Sequence, residues 1–205
     1  PEPVSHTLYR SLLVLCLLSG IWLRFSGLTR GDSDFAAGGD VAYYQFHPDE
    51  AGLLRTALSP IDPLDPPFTA YGLLPVLTLR TALWARGLEG CDLSLATDRR
   101  SVSVTARAIA ALLSSMVLVG TWVLGRHYFG HGSALLGLLF ACFAPGAIQQ
   151  GHFFLVDGFF TALGLAGILA IVRAIETGER RWYLIAGLMV GALGAVRFNG
   201  LALGL

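Results

Sequence analysis

The sequence contains no lysine and few charged residues of any kind. All 14 basic residues are arginine, the formal net charge is zero, and charged residues make up 14% of the 205 positions. A neutral chain without a basic tail does not fit a nucleic-acid-binding protein. With 54% hydrophobic residues and a mean hydropathy of +0.63, the chain is too apolar for one soluble core of ordinary composition. The composition therefore predicts an integral membrane protein.

Cysteine is also scarce. The three cysteines, Cys16, Cys91 and Cys142, are far apart in the chain. An odd, scattered set predicts neither a disulfide framework nor a zinc site. Two of them fall inside apolar runs, so we expect the cysteines to serve only in packing.

Long apolar runs are the dominant feature of the sequence. A spanning helix needs roughly 20 mostly apolar residues. Five segments approach that length, at residues 8–27, 104–125, 133–151, 158–175 and 183–203. The first could instead be a signal peptide, but a retained span is favoured because further spans follow and no clear cleavage site ends it. A sixth apolar stretch, residues 68–85, is interrupted by Pro75 and Arg80 and is weaker.

Arginines near the ends of these segments predict the orientation. Short loops that carry arginine stay on the cytoplasmic side. Arg10, the turn with Arg126, and the loop with Arg173, Arg180 and Arg181 share one side only if 68–85 does not cross. The sequence therefore predicts an all-α integral membrane protein, a multi-span helical bundle of about five spans. Its long extracytoplasmic first loop, residues 28–103, carries surface helices.

Ten of the 14 acidic residues lie in this predicted loop. In the stretch FHPDE, Pro48 suits the first position of a helix, and Asp49 and Glu50 suit its positive N-terminal dipole. Apolar residues then recur at helical spacing, which predicts an amphipathic helix in the membrane interface. Asp157 lies at the outer mouth of the fourth predicted span, on the same side. A lone acid there indicates a functional site, with a helix N-cap or first-turn residue at the water interface as the alternative.

The order of these motifs resembles a known family. A first span is followed by FHPDE, by the proline-rich aromatic stretch DPPFTAYGLLP, and by the run from ARAIAALLSS to GHFFLVDGFF. This order is similar to the N-terminal half of the GT-C superfamily. These multi-span glycosyltransferases use polyprenyl-phosphate-linked sugars, and include protein O-mannosyltransferases and lipid A aminoarabinose transferases. The chain stops at GLALGL without a helix cap, so we expect it to be an N-terminal fragment.

The resemblance implies roles for individual residues. Asp49, with Glu50 beside it, corresponds to the catalytic base or metal-proximal acid of such enzymes, and Asp157 lines the same site. Arg197 corresponds to the cation that faces the lipid phosphate, although the family pattern has lysine there. An arginine keeps the charge and alters the geometry. DPPFTAYG also lacks the basic residue that some relatives carry.

The chemistry agrees with these residue types. A phosphate-linked sugar already has a good leaving group, so the enzyme needs a base for the acceptor hydroxyl and positive charge for the departing phosphate. Negative carboxylates also stabilise an oxocarbenium-like sugar centre.

Two histidines are further candidates for the site. His47 and His152 could contact the substrate phosphate, or join Asp49, Glu50 and Asp157 around a divalent metal. Their spacing matches no defined metal motif, and an interfacial histidine is more often simply hydrogen-bonded. The pair of aspartates in GDSD, residues 31–34, resembles the Asp-x-Asp of nucleotide-sugar enzymes only weakly.

The sequence thus predicts a membrane glycosyltransferase. It would move a sugar from a polyprenyl-phosphate carrier to an acceptor hydroxyl on a protein, lipid or glycan, at the extracytoplasmic side and in contact with membrane lipids. A multi-span transporter with an acidic substrate or ion site is the main alternative, and it predicts carboxylates near the middle of spans. A scaffolding membrane module is the third.

Overall fold

The computed structural model describes residues 6–33, 42–43, 46–60 and 71–204. The chain forms the helices α1 (His6–Phe25), α2 (Pro48–Leu58), α3 (Leu74–Ala85), α4 (Ala96–Phe143), α5 (Pro145–Gln150), α6 (Val156–Thr177) and α7 (Arg180–Val196). A 3-10 helix, Phe198–Gly204, follows α7, and two strands of two residues each, β1 (Asp32–Ser33) and β2 (Ala42–Tyr43), pair antiparallel. The prediction of an all-α membrane protein is confirmed. The side chains of GDSD and most of DPPFTAYG lie outside the described residues.

Helix α4 is a hairpin rather than a rod. Gly130 interrupts it with φ 79° and ψ −179°, a conformation that is essentially restricted to glycine. A Cβ atom on Gly20 of α1 would lie 2.6 Å from Cys142 Sγ and 2.7 Å from Leu118 Cδ1. A straight helix would hold residues 118 and 142 about 36 Å apart. Helix α4 therefore has two antiparallel arms, residues 96–129 and 131–143.

In the described part of the chain, three helices, α1, α4 and α6, are long and apolar enough to cross a membrane. This number is lower than the five predicted spans. The predicted spans 104–125 and 133–151 fall largely on the two arms of α4, which the hairpin joins. The predicted span 183–203 divides into α7, whose 17 residues run from the basic end to Arg197 at the site end, and the 3-10 helix. A length of 17 residues is about the lower limit for a spanning helix. Within 68–85, α3 has 12 residues, about 18 Å, and is too short to cross.

Helices α2 and α3 pack against the spans. Helix α2 begins at Pro48, as the sequence predicts, and its apolar face is buried, with Leu53 and Leu54 fully enclosed. These leucines join Leu79 of α3 and Phe159 of α6 in one apolar cluster. The face predicted to lie in the membrane interface therefore contacts protein instead, because α3 and α4 cover it.

The two ends of the helical bundle differ in charge. At one end, Trp122 Nε1 donates to Tyr9 Oη at 2.9 Å, and His127 Nε2 lies 2.5 Å from Glu176 Oε1. We call this the basic end, because the adjoining helices carry Arg10, Arg126, Arg173, Arg180 and Arg181. The last turn of α1 and the first turn of α6 lie at the opposite end, which we call the site end.

Candidate active site

The N-terminus of α2 contributes the motif FHPDE to the site end. His47 caps the helix: its Nδ1 accepts a hydrogen bond from the backbone N–H of Asp49 at 3.3 Å. Its ring lies 5.7 Å from that of Phe153. Pro48 occupies the first helical position, where its missing N–H loses no helical bond, and Asp49 is the second position, whose N–H an N-cap side chain commonly binds. His47 thus fixes the backbone of Asp49, and no contact brings it to the other predicted site residues.

Glu50 points into the protein and is fully buried. Arg107 of α4 donates to both of its oxygens, from Nε at 2.9 Å and from Nη2 at 2.8 Å. The backbone N–H of Phe154 donates to Glu50 Oε1 at 3.2 Å. A buried carboxylate in a two-pronged arginine pair is held firmly, because both of its oxygens are occupied. This arrangement favours a positioning role for Glu50, tying α2 to α4 and to the segment before α6.

Asp49 points the other way and is half-buried. Its Oδ2 accepts a hydrogen bond from Tyr71 Oη at 3.2 Å. The Tyr71 ring lies under the guanidinium of Arg197, with Arg197 Cζ 5.0 Å from the ring centre. That stacking attracts a cation to the negative face of the ring. One tyrosine therefore connects Asp49 to the end of α7.

Arg197 and Asp157 form an ion pair at the same place. Arg197 Nη1 lies 2.8 Å from Asp157 Oδ1, and the two side chains are 31% and 42% exposed. Asp157 lies in the first turn of α6, whose N-cap is Leu155. Its position agrees with the predicted alternative of a first-turn residue, which suits the helix dipole, and its ion pair with Arg197 comes in addition to that.

A close backbone approach holds Tyr71 in position. The backbone N–H of Gly72 donates to Val196 O at 2.9 Å, and a Cβ at position 72 would lie 2.0 Å from Ala195 O. Only glycine leaves room for this contact. Arg197 follows directly, in extended conformation after the last turn of α7. Tyr71 precedes Gly72 and Arg197 follows Val196, so this backbone contact brings the two side chains close together.

The structure thus brings Asp49, Asp157 and Arg197 together through Tyr71. In the sequence, Tyr71 stands out only as part of an aromatic stretch, and the pattern around Arg107 predicts no role for it. Arg107 carried a usable signal, because an ionisable residue within an apolar run predicts a buried partner. Tyr71 carried none, since its partners depend on the tertiary fold.

His152 is placed elsewhere. Its Nδ1 lies 2.8 Å from Ile148 O and its Nε2 lies 2.6 Å from Ser26 O. It lines a separate cavity of about 490 Å³ together with Arg30 and Arg107. Both ring nitrogens are engaged with backbone carbonyls, so the arrangement favours a role in joining α1 to α5.

A metal ion at this site would need ligands from the substrate as well as from the protein. Within the described parts of the chain, no three His, Cys, Asp or Glu residues converge on one point. Asp49 and Asp157 each keep one oxygen outside the contacts given above. Magnesium is often held by one or two carboxylates plus substrate phosphates. The residues present therefore fit a divalent ion only as part of a complex with a phosphate-bearing substrate.

Helices that can cross a membrane, with a half-exposed acidic and basic site at one end of the bundle, define an integral membrane protein with a polar site beside the bilayer. Residues 95–205 match the family described as dolichyl-phosphate-mannose-protein mannosyltransferase. This segment is more than half of the chain, so the protein belongs to that family of membrane glycosyltransferases, and the predicted resemblance is confirmed. No curated protein and no solved structure matches the chain. The matched segment includes Asp157 and Arg197, whereas Asp49 lies before it.

Proposed function

We propose that this protein transfers a sugar from a polyprenyl-phosphate carrier to an acceptor hydroxyl on the extracytoplasmic side of the membrane. The observation that carries the proposal is the continuous contact from Asp49 through Tyr71 and Arg197 to Asp157. A carboxylate and a guanidinium, the two groups that the reaction needs, both contact one tyrosine: Asp49 its hydroxyl and Arg197 its ring. The family description points to mannose on dolichyl phosphate as the donor.

Asp49 is the base in this mechanism. The acceptor oxygen attacks the anomeric carbon and loses its proton to Asp49, while the bond from that carbon to the phosphate oxygen breaks and its electron pair stays on the phosphate. The Tyr71 hydroxyl orients the carboxylate by donating to its other oxygen. Arg197 balances the charge that develops on the departing phosphate, and Asp157 holds Arg197 in place. A divalent ion on Asp49, Asp157 and the phosphate would supply further positive charge.

The charge pattern supports the proposed side of the membrane. The basic end carries arginines beside short turns, which belong in the cytoplasm. Asp49, Asp157 and Arg197 lie at the opposite end. A transporter is less well supported, because these carboxylates lie at helix starts and not at mid-span.

Sugar transfer by the purified protein in lipid nanodiscs tests the proposal. We expect Asp49→Asn to lower kcat by about 10²-fold or more, because a positioned base contributes roughly 10²–10⁴-fold. We expect Asp157→Asn to lower kcat by roughly 10-fold to 100-fold, because it loses the charged contact that holds Arg197 in place, and such a contact contributes about 1.5–3 kcal/mol. Glu179→Gln is the control, since Glu179 is exposed at the basic end, where it pairs with Arg181. Full activity in both folded aspartate variants would contradict the proposal and revive the transporter and scaffold hypotheses.

A further inference from the structure

A further cavity lies at the basic end of the bundle, between α4 and α6. It measures about 360 Å³. Arg173 lines it, and Asp157 of the proposed active site lies on the same helix 16 positions earlier, which corresponds to about 24 Å along the helix axis. That separation approaches the roughly 30 Å thickness of the hydrocarbon core of a bilayer. The cavity is therefore at the headgroup level of the leaflet opposite the proposed active site.

Three basic side chains line this cavity. They are Arg126 and His127 of α4 and Arg173 of α6, and we call the space between them the basic cavity. In the described part of the chain, the acid that pairs with them is Glu176. Its Oε1 lies 2.5 Å from His127 Nε2, and its Oε2 lies 3.8 Å from Arg173 Nη1. With His127 neutral, the two arginines and Glu176 leave one net positive charge.

Arg126 is the residue that leaves this charge uncompensated. Its Cζ lies 5.5 Å from the centre of the Trp122 ring, a cation–π contact that orients the group without neutralising it. Among the residues that the structure describes, Arg126 makes no ion pair and donates no hydrogen bond. A guanidinium has five N–H donors in a planar fork that matches the oxygens of a phosphate. Arg126 is therefore equipped to bind a phosphate group.

The rest of the cavity favours a lipid over a soluble anion. Trp122, Leu169 and Val172 form an apolar part of the wall. Leu169 lies four positions before Arg173, so it is about one helical turn closer to the middle of the membrane. Tryptophan and tyrosine are enriched at the headgroup level, and Trp122 is hydrogen-bonded to Tyr9 there. The cavity thus has basic groups toward water and apolar groups toward the hydrocarbon, which is the polarity of a phospholipid.

We propose that the basic cavity binds the phosphate of an anionic phospholipid from the leaflet at the basic end, with the start of an acyl chain against Leu169. Basic pockets between spanning helices are typical sites for acidic lipid headgroups. The phosphodiester of such a lipid carries one negative charge, which balances the net charge of the cavity. The proposal goes beyond sugar transfer, since none of these residues belongs to the proposed active site.

Lipid binding to the purified protein in detergent tests the proposal. The protein is titrated with phosphatidylglycerol, whose net charge is negative, and with phosphatidylcholine, whose net charge is zero, and native mass spectrometry gives the dissociation constant of the first bound lipid. We expect Arg126→Gln and Arg173→Gln each to weaken phosphatidylglycerol binding about fivefold, because one arginine at a membrane surface contributes about 1 kcal/mol. Phosphatidylcholine binding should change much less. Arg180→Gln is the matched control, since it removes the same charge at the same end but outside the cavity.

Glu176→Gln gives a result of opposite sign. It removes the acid that faces His127 and Arg173, so we expect phosphatidylglycerol to bind about fivefold more tightly. A merely structural role of the two arginines predicts no such gain. Glu179→Gln, an exposed acid outside the cavity, is its control and should leave the affinity unchanged. This pair of variants decides the question even if an arginine variant fails to fold.

The remaining outcomes would overturn the proposal. Equal affinity of the wild-type protein for the two lipids would do so, as would a preference for phosphatidylglycerol that is unchanged in folded Arg126→Gln, Arg173→Gln and Glu176→Gln. Displacement of phosphatidylglycerol by inorganic phosphate at equal concentration would assign the cavity to a soluble phosphate instead. The proposed function stands under each of these results, because it is tested by sugar transfer and not by lipid binding.

Discussion

The buried ion pair of Glu50 and Arg107 allows structure and catalysis to be separated at a single residue. Glu50→Gln removes the negative charge and leaves Arg107 enclosed without it. Breaking a buried pair from one side costs about 3–5 kcal/mol of the free energy of unfolding. We expect a correspondingly lower unfolding midpoint in detergent, and recovery of most of the loss in the double variant Glu50→Gln/Arg107→Gln. A Glu50→Gln protein of normal stability that transfers no sugar would instead make Glu50 a reacting group, as the family resemblance implies.

Tyr71 makes two contacts, one with Asp49 and one with Arg197, and different substitutions remove one or both of them. Tyr71→Phe removes the hydroxyl that donates to Asp49 and keeps the ring under Arg197. A hydrogen bond to a charged group contributes about 1.5–3 kcal/mol, so we expect kcat to fall by roughly 10-fold to 100-fold with little change in stability. Tyr71→Leu removes both contacts and should lower activity further. Equal activity in Tyr71→Phe and wild type, measured in the same transfer assay, would remove the hydroxyl from the mechanism.

At the scale of residues, the sequence indicated Asp49 and Asp157 as candidates but not the residues that contact them. Asp49 and Asp157 stood out because carboxylates next to apolar runs are rare, and Pro48 predicted the start of α2. Tyr71 lies 22 positions from Asp49, and Arg107 lies 57 positions from Glu50. Nothing in the local pattern links residues at those distances, since the contacts exist only after α2, α4 and α7 have packed together.

At the scale of elements, the hairpin in α4 depends on one backbone conformation. Gly130→Ala places a Cβ where φ is 79°, at a cost of about 1–3 kcal/mol. Gly132→Ala, two residues on, lies in regular helix with open space around it and should be neutral or stabilising by up to about 1 kcal/mol. Thermal unfolding of the two variants in the same detergent compares them. Equal midpoints would show that the turn tolerates a side chain.

Helix positions were easier to predict than helix ends. The apolar runs located α1, both arms of α4 and α6 correctly, because a spanning segment must be long and uniformly apolar. The run 183–203 was read as one span, but the extended backbone at Arg197 ends α7 there. That break in the helix lets the Arg197 side chain reach Asp157. The hydropathy of the sequence does not predict such a break.

At the scale of the whole molecule, the proposed orientation can be tested with single cysteines. In a Cys91→Ser background, Gly90→Cys lies in the exposed loop before α4 and Gly132→Cys lies at the basic end. A membrane-impermeant maleimide added to intact cells should label only Gly90→Cys, and permeabilised cells should label both. The reverse pattern would contradict the orientation.

Two of the three native cysteines should not react in this labelling experiment. Cys16 and Cys142 are buried in the apolar contact between α1 and α4. Cys91 must be replaced because it is partly exposed. Its thiol would react slowly, since burial and the neighbouring Asp98 carboxylate raise its pKa.

The backbone contact between Gly72 and Val196 has a consequence for biosynthesis. The two residues are 124 positions apart, so at 5–20 residues per second roughly 6–25 s of synthesis separate them. During that interval the outer segment has already been made, and its acids face water without the arginine that completes the site. The contact of Tyr71 with Arg197 can therefore form only after residue 197 has been synthesised, and a ribosome that stalls before Arg197 leaves Asp49 and Asp157 without the guanidinium that lies between them.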